Sequence, residues 1–328
     1  MKLCFGLLLA ATGIYAQNVI SARSGLIHRI DGPSVTLEGK QIKPKVGEFP
    51  QMKAGETLST ERAKVEILLT PGVFFRLGED SSFKLVSDHL SDTRVEMLKG
   101  SAIMEVDDIQ KGNSVMLLYK DAKITPSKHG LYRLDADKNL LKVSDGEAQV
   151  VRGDDTTVVK AGHQLEFGAV FLATKFNKKS GDSLDLWSQE ESERIARANL
   201  NSANSMRRGG SSSYNSYTAG SWVLNPYFDI ISYLPASGYG YSPYGWLIYS
   251  PRTVVYSYYG NPNPAASWQA SNANGDVRGA NAQGNPGLTS SNSQVGAISA
   301  PAAMAPSGAS SVGGMSRAPV SGGGGRGR

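Results

Sequence analysis

Short runs of alternating apolar and polar residues dominate the first half of the chain. Within residues 60–106, for example, Val65, Ile67 and Leu69 alternate with Lys64 and Glu66. An alternation with a period of two places the apolar side chains on one face of a β-strand and the polar side chains on the other. This stretch therefore predicts stacked β-strands with one face toward a core and the other toward water.

Turn residues divide the rest of the first half into similar short segments. Asp31-Gly32-Pro33 separates residues 18–30 from residues 34–42, and we expect these two segments to pair as strands. Further short strands follow at similar spacing through Phe167. Residues 17–172 are therefore predicted to form an all-β domain, an antiparallel sandwich, jelly roll or β-roll.

The period changes to that of an α-helix after this domain. Asp182 or Ser183 can cap the start of a helix whose apolar residues, among them Leu184 and Trp187, share one narrow face. The other faces carry oppositely charged residues spaced i to i+4. We expect a solvent-exposed helix within residues 180–208 that touches the β-domain near Leu184 and Trp187 and is otherwise a spacer.

The composition changes again at residue 209, after which the chain contains no Lys, Glu or His. Residues 209–260 are rich in Tyr, Gly and Pro, and eleven of the chain's fourteen tyrosines lie between Tyr214 and Tyr259. Residues 261–328 consist largely of Asn, Ala, Ser, Gly and Pro. This last segment has too little apolar surface to offset the entropy of ordering, so it is predicted to be disordered.

The tyrosine-rich segment contains the strongest candidates for recognition. Exposed Tyr and Trp side chains offer a large contact area at a small entropic cost. The candidate partner-binding residues are Tyr239, Tyr241, Tyr244, Trp246 and Tyr249. They could bind a glycan, a partner protein or another component of the cell envelope. In the alternative interpretation, residues 246–249 and 253–258 form a pair of strands packed on the β-domain.

The N-terminus has the pattern of a secretory signal peptide, residues 1–16. Lys2 precedes an apolar run, and small residues lead to a predicted cleavage between Ala16 and Gln17. The run is too short to span a bilayer, and no later segment is long and apolar enough. We therefore expect an exported protein, periplasmic or extracellular, without a transmembrane helix after cleavage. Cys4, the only cysteine, lies in the signal, so the mature chain would contain no thiol.

The sequence predicts no catalytic residue, cofactor or metal site. The four histidines are isolated from one another, and we expect structural roles for His28, His89, His129 and His163. Residues 135–139 resemble the opening of a calcium-binding loop, but Leu140 stands where that loop requires glycine, which favours a polar hairpin turn. There is no nucleophile elbow, phosphate-binding loop or dinucleotide fingerprint. We expect a protein that is not an enzyme.

The net charge of +5 is compatible with nucleic-acid binding. However, the lysines of the β-domain alternate with apolar residues, as those of an ordinary solvated face do. Export would also remove the protein from cytoplasmic RNA. A nucleic-acid partner is therefore not expected.

Several motifs of the β-domain resemble the FecR domain family. The matching segments are Gly55-Glu56-Thr57-Leu58-Ser59-Thr60, Arg76-Leu77-Gly78, Leu98-Lys99-Gly100-Ser101-Ala102, residues 143–150 and Val159-Lys160-Ala161-Gly162. They are turn and packing residues rather than catalytic ones. The segment from His129 to Leu134 departs from the family, because it keeps the Gly and the aromatic residue but lacks the Thr.

The resemblance implies a fold and a possible regulatory role. FecR proteins are extracytoplasmic regulators that sense an occupied siderophore transporter and signal through a membrane helix to a sigma factor. Because this sequence shows no such helix, we expect an exported binding or scaffolding protein whose partner is an envelope protein or a glycan. Two alternatives stay open: a regulator of a sigma-factor pathway that acts through a separate membrane partner, and a cell-envelope structural protein that binds wall or polysaccharide.

Overall fold

The computed structural model of this chain describes residues 23–168, 171–177, 181–208, 220–225 and 229–254. The predicted signal peptide, the predicted disordered tail and parts of the tyrosine-rich segment lie outside these residues. All the structural statements below concern the described residues.

The β-domain consists of short strands joined by tight turns. In chain order they are β1 (Leu26–Asp31), β2 (Val35–Leu37), β3 (Lys40–Gln41), β4 (Thr57–Thr60), β5 (Lys64–Leu68), β6 (Val73–Leu77), β7 (Ser82–His89), β8 (Asp92–Lys99), β9 (Ser101–Val106), β10 (Val115–Tyr119), β11 (Ala122–Pro126), β12 (Gly130–Asp135), β13 (Leu140–Asp145), β14 (Glu147–Arg152), β15 (Asp155–Lys160), β16 (His163–Glu166) and β17 (Ala173–Lys175). A short 3-10 helix, Ala136–Lys138, connects β12 to β13. These two strands pair antiparallel, so the connection is the polar hairpin that the sequence favours over a calcium loop.

The strands form two large sheets. The first has eight strands in the order β1-β5-β6-β9-β12-β13-β16-β17, and the second has nine in the order β15-β14-β11-β10-β8-β7-β4-β2-β3. The pairs in both sheets are antiparallel except β8 with β10, which run parallel. The predicted all-β class with antiparallel sheets is confirmed.

The two sheets pack face to face around one apolar core. Val65, Ile67 and Phe75 of the eight-stranded sheet are fully buried, as are Phe83 and Leu85 of the nine-stranded sheet. The rings of Phe75 and Phe83 meet edge to face with their centroids 5.0 Å apart. The alternation in the sequence therefore gives the correct register for the core-facing side chains.

The predicted pairing of the two N-terminal segments is wrong. β1 pairs with β5 in one sheet, whereas β2 pairs with β3 and β4 in the other. The chain crosses between the sheets at Gly32, where φ is +121° and a Cβ atom would lie 2.3 Å from the carbonyl oxygen of Arg62. Only glycine fits this close crossing, so the turn residues here mark a crossover between the sheets.

Five further elements form a layer over the eight-stranded sheet. They are the helix α1 (Ser183–Arg208) and the strands β18 (Ser221–Asn225), β19 (Ile230–Leu234), β20 (Tyr239–Tyr241) and β21 (Leu247–Tyr249). β18 pairs with β19, and we call this pair the first hairpin. β20 pairs with β21 to form the second hairpin. Apolar side chains of the layer, including Trp222 and Tyr233, pack against Leu68 and Phe74 on the face of the sheet that points away from the core.

Helix α1 begins where the sequence predicts but is not an exposed spacer. The Oδ1 atom of Asp182 accepts hydrogen bonds from the backbone N–H groups of Leu184 and Asp185, at 3.0 and 3.2 Å, so Asp182 caps the helix. One face of α1 is buried along its length. Much of that face consists of polar or small residues, such as Ser188 and Asn199, which are fully buried. A thin apolar stripe therefore underestimates the area that this helix buries.

Candidate binding site

The five aromatic residues predicted to bind a partner do not share one environment. Tyr239 and Tyr241 are exposed at 59% and 52% of their surface. Tyr249 is buried, while Tyr244 and Trp246 are partly buried. The structure therefore separates an exposed pair on β20 from three residues that pack within the layer.

Tyr244 and Tyr249 attach the second hairpin to helix α1. The hydroxyl of Tyr244 donates a hydrogen bond of 2.8 Å to Oγ of Ser188. The side chain of Asn199 donates to the carbonyl of Tyr249 at 3.0 Å and accepts from its N–H at 2.8 Å. The same amide donates to the carbonyl of Tyr233 at 2.8 Å, so Asn199 links α1 to both hairpins. This part of the tyrosine-rich segment follows the packed-strand interpretation, with β20 as a partner of β21, and residues 255–258 of the predicted second strand lie outside the described residues.

The exposed pair forms an open corner. Tyr239 and Tyr241 lie on one side of β20, and their rings are 6.0 Å apart between centroids and nearly perpendicular at 83°. The strand is held by its pairing with β21 and by a hydrogen bond of 2.7 Å between the Tyr241 carbonyl and Nε2 of His129. The two rings are therefore presented at a defined angle by a strand anchored on both sides.

A cleft of about 220 Å³ lies beside this corner. Its aromatic side is formed by Tyr233, Tyr239 and Tyr241, and its acidic side by Asp107 and Asp108. The acidic residues directly follow β9 of the eight-stranded sheet. The cleft thus lies between the sandwich and the two hairpins of the layer.

Asp108 fixes one wall of the cleft. Its Oδ2 atom accepts a hydrogen bond of 2.6 Å from the hydroxyl of Tyr233, and it also accepts from the side chain of Gln110. The Gln110 amide in turn donates to the Tyr233 hydroxyl at 2.6 Å. This triangle of hydrogen bonds holds the ring of Tyr233 and the first hairpin in place.

Asp107 is the unusual member of the cleft. Its Oδ1 atom is buried and has no hydrogen-bond partner among the described residues. Burial, then the negative charge of Glu105 and a hydrogen bond between the two carboxyl groups, raises the pKa of Asp107 well above its ordinary range. Asp107 therefore holds a proton under conditions in which an ordinary aspartate has lost it.

A line of buried charges continues from Asp107 beneath the layer. Arg76, which is fully buried, pairs with Glu66 at 2.8 Å and with Glu105. Its Nη1 atom also donates a hydrogen bond of 2.9 Å to Oγ of Ser188 on α1. Burial alone would lower the pKa of Arg76, but the charges of Glu105 and Glu66 outweigh it and raise that pKa. The arginine therefore stays charged and pairs with both carboxylates.

His28 joins this line to the first hairpin. Its Nδ1 atom lies 2.7 Å from Oε1 of Glu66, and its Nε2 atom accepts a hydrogen bond of 2.9 Å from the backbone N–H of Ile231. The Nε2 atom can accept a hydrogen bond only when the ring is neutral. Burial also favours the neutral ring, because it lowers the pKa of His28. Burial would raise the pKa of Glu66, but the charge of Arg76 and the bond to His28 lower it to about 2.

A second ion cluster holds the start of α1. Arg133 pairs with Asp135 at 2.9 Å, Asp182 at 2.7 Å and Asp185 at 2.7 Å. The hydrogen bond from Arg133 lowers the pKa of Asp182. The cap of the helix is thus attached directly to the sheet.

Sequence reasoning assigned the charged residues of β5 and β6 to a solvated face, and this is wrong. Glu66 and Arg76 are both fully buried, so Arg76 is not available on an exposed binding face. Opposite charges on neighbouring strands pair with each other there. An alternating sequence pattern is the same whether its polar side chains contact water or pair with one another. The available signal is the single charge in each of the mainly apolar strands β6 and β9.

Metal-binding clusters and membrane-spanning helices are both absent from the described ranges. No group of three or more His, Cys, Asp or Glu side chains is arranged to hold a metal ion in the described part of the chain. Among the helices that the structure describes, none combines the length and apolar character needed to cross a bilayer.

Comparisons with known proteins find similarity only among solved structures. No family model and no curated protein matches the chain, so membership of the FecR family stays a prediction. Two crystal structures of a candidate anti-sigma factor from Parabacteroides distasonis match at 15% identity. They cover 37% and 40% of this chain, with TM-scores of 0.32 and 0.34. The matched regions span 60% and 64% of those two proteins, which is less than two-thirds of their length.

Proposed function

We propose that this chain is an exported, non-enzymatic binding or scaffolding protein. The β-sandwich serves as a rigid support, and the layer of α1 and two hairpins presents the recognition surface. The observation that carries this proposal is the pair of exposed tyrosines, Tyr239 and Tyr241, beside an acidic cleft. Large aromatic side chains that remain exposed on an anchored strand are typical of binding surfaces.

The arrangement of the charged groups supports a binding role rather than catalysis. The buried carboxylates Glu66 and Glu105 are both paired with Arg76, and His28 is hydrogen-bonded to Glu66 and to the Ile231 N–H. These groups hold the layer on the sheet, and their pairing leaves them poorly placed to act on a substrate. The partner of the proposed surface is an envelope protein or a glycan.

The binding role can be tested with the full chain and a double variant, Tyr239→Ala with Tyr241→Ala. Capture from envelope extract should yield a partner whose affinity for the variant falls by at least about tenfold. Leu172→Ala removes an equally exposed apolar side chain, at 65% exposure, away from the cleft and serves as the matched control. Equal capture by the wild-type protein and the double variant would contradict the assignment of the surface.

Export is tested separately by N-terminal sequencing of the protein from its native cell. The expected first residue is Gln17, from cleavage after Ala16. A cytoplasmic protein that retains Met1 would remove the basis for an envelope partner.

A regulator that acts through a separate membrane partner is a second candidate. The polar interface beneath α1 favours it, because charged and hydroxyl groups that pair across an interface can also be hydrated when it opens. Arg76, for example, is bonded to Ser188 of the helix across 112 residues of sequence. Hydrogen exchange of the full chain with and without the captured partner tests this role, which requires increased exchange in α1 on binding.

A further inference from the structure

We propose that the cleft beside β20 is a site for an organic ammonium cation, with the perpendicular rings of Tyr239 and Tyr241 as its aromatic walls and Asp107 and Asp108 as its acidic wall. The inference rests on the proposed binding function and names the class of ligand. The cation can be a small amine or the side chain of a lysine on a partner protein, since both carry a positive charge on an organic nitrogen.

The aromatic walls are suited to a positive charge. The face of an aromatic ring carries negative potential and attracts ammonium groups, and two rings set at an angle can contact one cation from two sides. Tyr239 and Tyr241 meet at 83° with their centroids 6.0 Å apart, which leaves an open corner rather than a flat platform. A flat ligand such as a sugar ring would stack on one of these rings and would not use the corner.

The acidic wall supplies a complementary charge and an unused acceptor. Asp107 Oδ1 is buried in the wall of the cleft without a hydrogen-bond partner. An unsatisfied buried acceptor costs free energy, and an N–H of a primary ammonium ligand would satisfy it, whereas a quaternary ammonium has no N–H and would interact with this wall through its charge alone. Asp108 uses Oδ2 for the Tyr233 hydroxyl and Gln110, and its charge adds to that of Glu105 behind Asp107.

The surroundings of Asp107 give the site a proton linkage. The groups that face it are Glu105 on β9, Arg76 on β6, the adjacent Asp108, and Tyr233 on β19. Arg76 is neutralised by two glutamates, so the cluster as a whole is negative. A bound cation favours the charged carboxylate, so in the pH range in which Asp107 is protonated in the free protein, binding releases that proton to solvent. Affinity should therefore increase with pH.

The test is isothermal titration calorimetry on the full chain with three probes. They are choline, the neutral carbon isostere of choline in which carbon replaces nitrogen, and a lysine residue blocked at both ends. We expect at least one cation to bind and the neutral isostere to bind at least about tenfold more weakly. Tighter binding of choline assigns the site to a small quaternary amine, and tighter binding of the blocked lysine assigns it to a partner's side chain.

Variants separate the two walls. Tyr239→Leu keeps an apolar side chain but removes the ring face, and it should weaken cation binding by about two- to thirtyfold. Asp107→Asn keeps the shape of the side chain and should abolish both the rise in affinity with pH and the release of a proton. Proton release is read from the binding heats in two buffers that differ in ionisation enthalpy. His163→Gln changes a histidine of β16 that does not line the cleft, so it serves as the control and should leave the pH profile unchanged.

Four results would overturn the proposal. The first three are equal affinity for choline and its isostere, absence of binding by either cation, and an unchanged pH profile in Asp107→Asn. Binding of neutral oligosaccharides that is lost in Tyr239→Leu, without binding of cations, would also overturn it while leaving the proposed binding function intact. Equal capture of the partner by the wild-type protein and the Tyr239 and Tyr241 double variant would contradict the proposed function, whereas the calorimetric results test the cation site, so the failure of one is distinguishable from the failure of the other.

Discussion

The two faces of the eight-stranded sheet are held against their neighbours by different forces. The inner face packs apolar side chains, such as Phe75, against the second sheet. The outer face packs against α1 and the hairpins through a mixture of apolar contacts and buried charges centred on Arg76. The inner contact is non-directional and insensitive to pH, whereas the outer contact depends on the protonation and pairing of particular groups. One face of the sheet therefore belongs to an apolar core that does not depend on pH, and the other face belongs to an interface whose stability depends on pH.

The largest expected effect comes from opening the inner core. Phe75→Ala removes a fully buried ring that packs on Phe83, and it should lower the free energy of unfolding by about 3–5 kcal/mol. Urea denaturation followed by circular dichroism measures the loss. Val46→Ala is the control, because Val46 is 90% exposed and its truncation should change nothing measurable. A small effect of Phe75→Ala would mean that the two sheets are not the stable unit.

The second-largest loss of stability is expected from removing Arg76 from the buried charges on the outer face of the sheet. Arg76→Met leaves Glu66 and Glu105 buried without their partner and should cost about 3 kcal/mol. The triple change Glu66→Gln, Arg76→Met and Glu105→Gln removes all the charges together, and most of that loss should be recovered. The same urea experiment checks both proteins. If the triple variant is as unstable as the single one, the charges do not act as a mutually compensating set.

Acid should loosen the outer face before the inner one. The folded pKa of His28 lies below its ordinary value of 6.5, so below that pH the unfolded chain binds a proton that the folded chain does not. The stability from neutral His28 is thus present above pH 6.5 and falls as the pH drops, by up to roughly 1 kcal/mol for each pH unit. Unfolding curves between pH 7.5 and about 5 should show this slope, and His28→Gln should reduce it.

The contribution of Glu66 appears in a different pH window. Its folded pKa of about 2 lies below the ordinary value of 4.5, so its stabilisation is present above pH 4.5 and is lost as the pH falls toward 2. The two groups can therefore be distinguished in one titration. An unchanged slope near pH 6 in His28→Gln would show that His28 is not the group responsible.

The smallest effect is expected at the start of α1. Asp182→Ala removes the acceptor for two backbone N–H groups and should cost about 1 kcal/mol. Asp182→Asn keeps the acceptor but removes the charge that faces Arg133, so comparison of the two variants separates capping from ion pairing. Thermal unfolding with helix content as the readout is sufficient. Equal losses in both variants would assign the whole effect to the ion pair.

The sequence predicts the inner core well because one physical rule governs it. Val65, Ile67 and Phe75 all point toward the core. A shift of one residue in strand register would turn their side chains to the other face of the sheet. The start of α1 is also predictable, because Asp182 provides an acceptor immediately before a run with helical periodicity.

The outer face and the cleft escape prediction for a different reason. Glu66 and Arg76 satisfy each other only because the register of β5 and β6 places them opposite one another, and that register is a tertiary property. Asp107 and Tyr239 are separated by more than a hundred residues, so no local pattern brings them to one cleft. The aromatic composition of the segment identifies the tyrosines, but only the packing of β20 shows which two remain exposed.

The charges on the outer face of the sheet also bear on the order in which the chain is assembled. Strands β5, β6 and β9 precede α1 by about eighty residues or more, so during synthesis this face exists before the helix that covers it. A wholly apolar face would invite aggregation during that interval, whereas Glu66, Arg76 and Glu105 can remain hydrated until α1 and the hairpins arrive. The buried ion pairs of the finished protein thus act earlier as surface charges that keep the incomplete chain in solution.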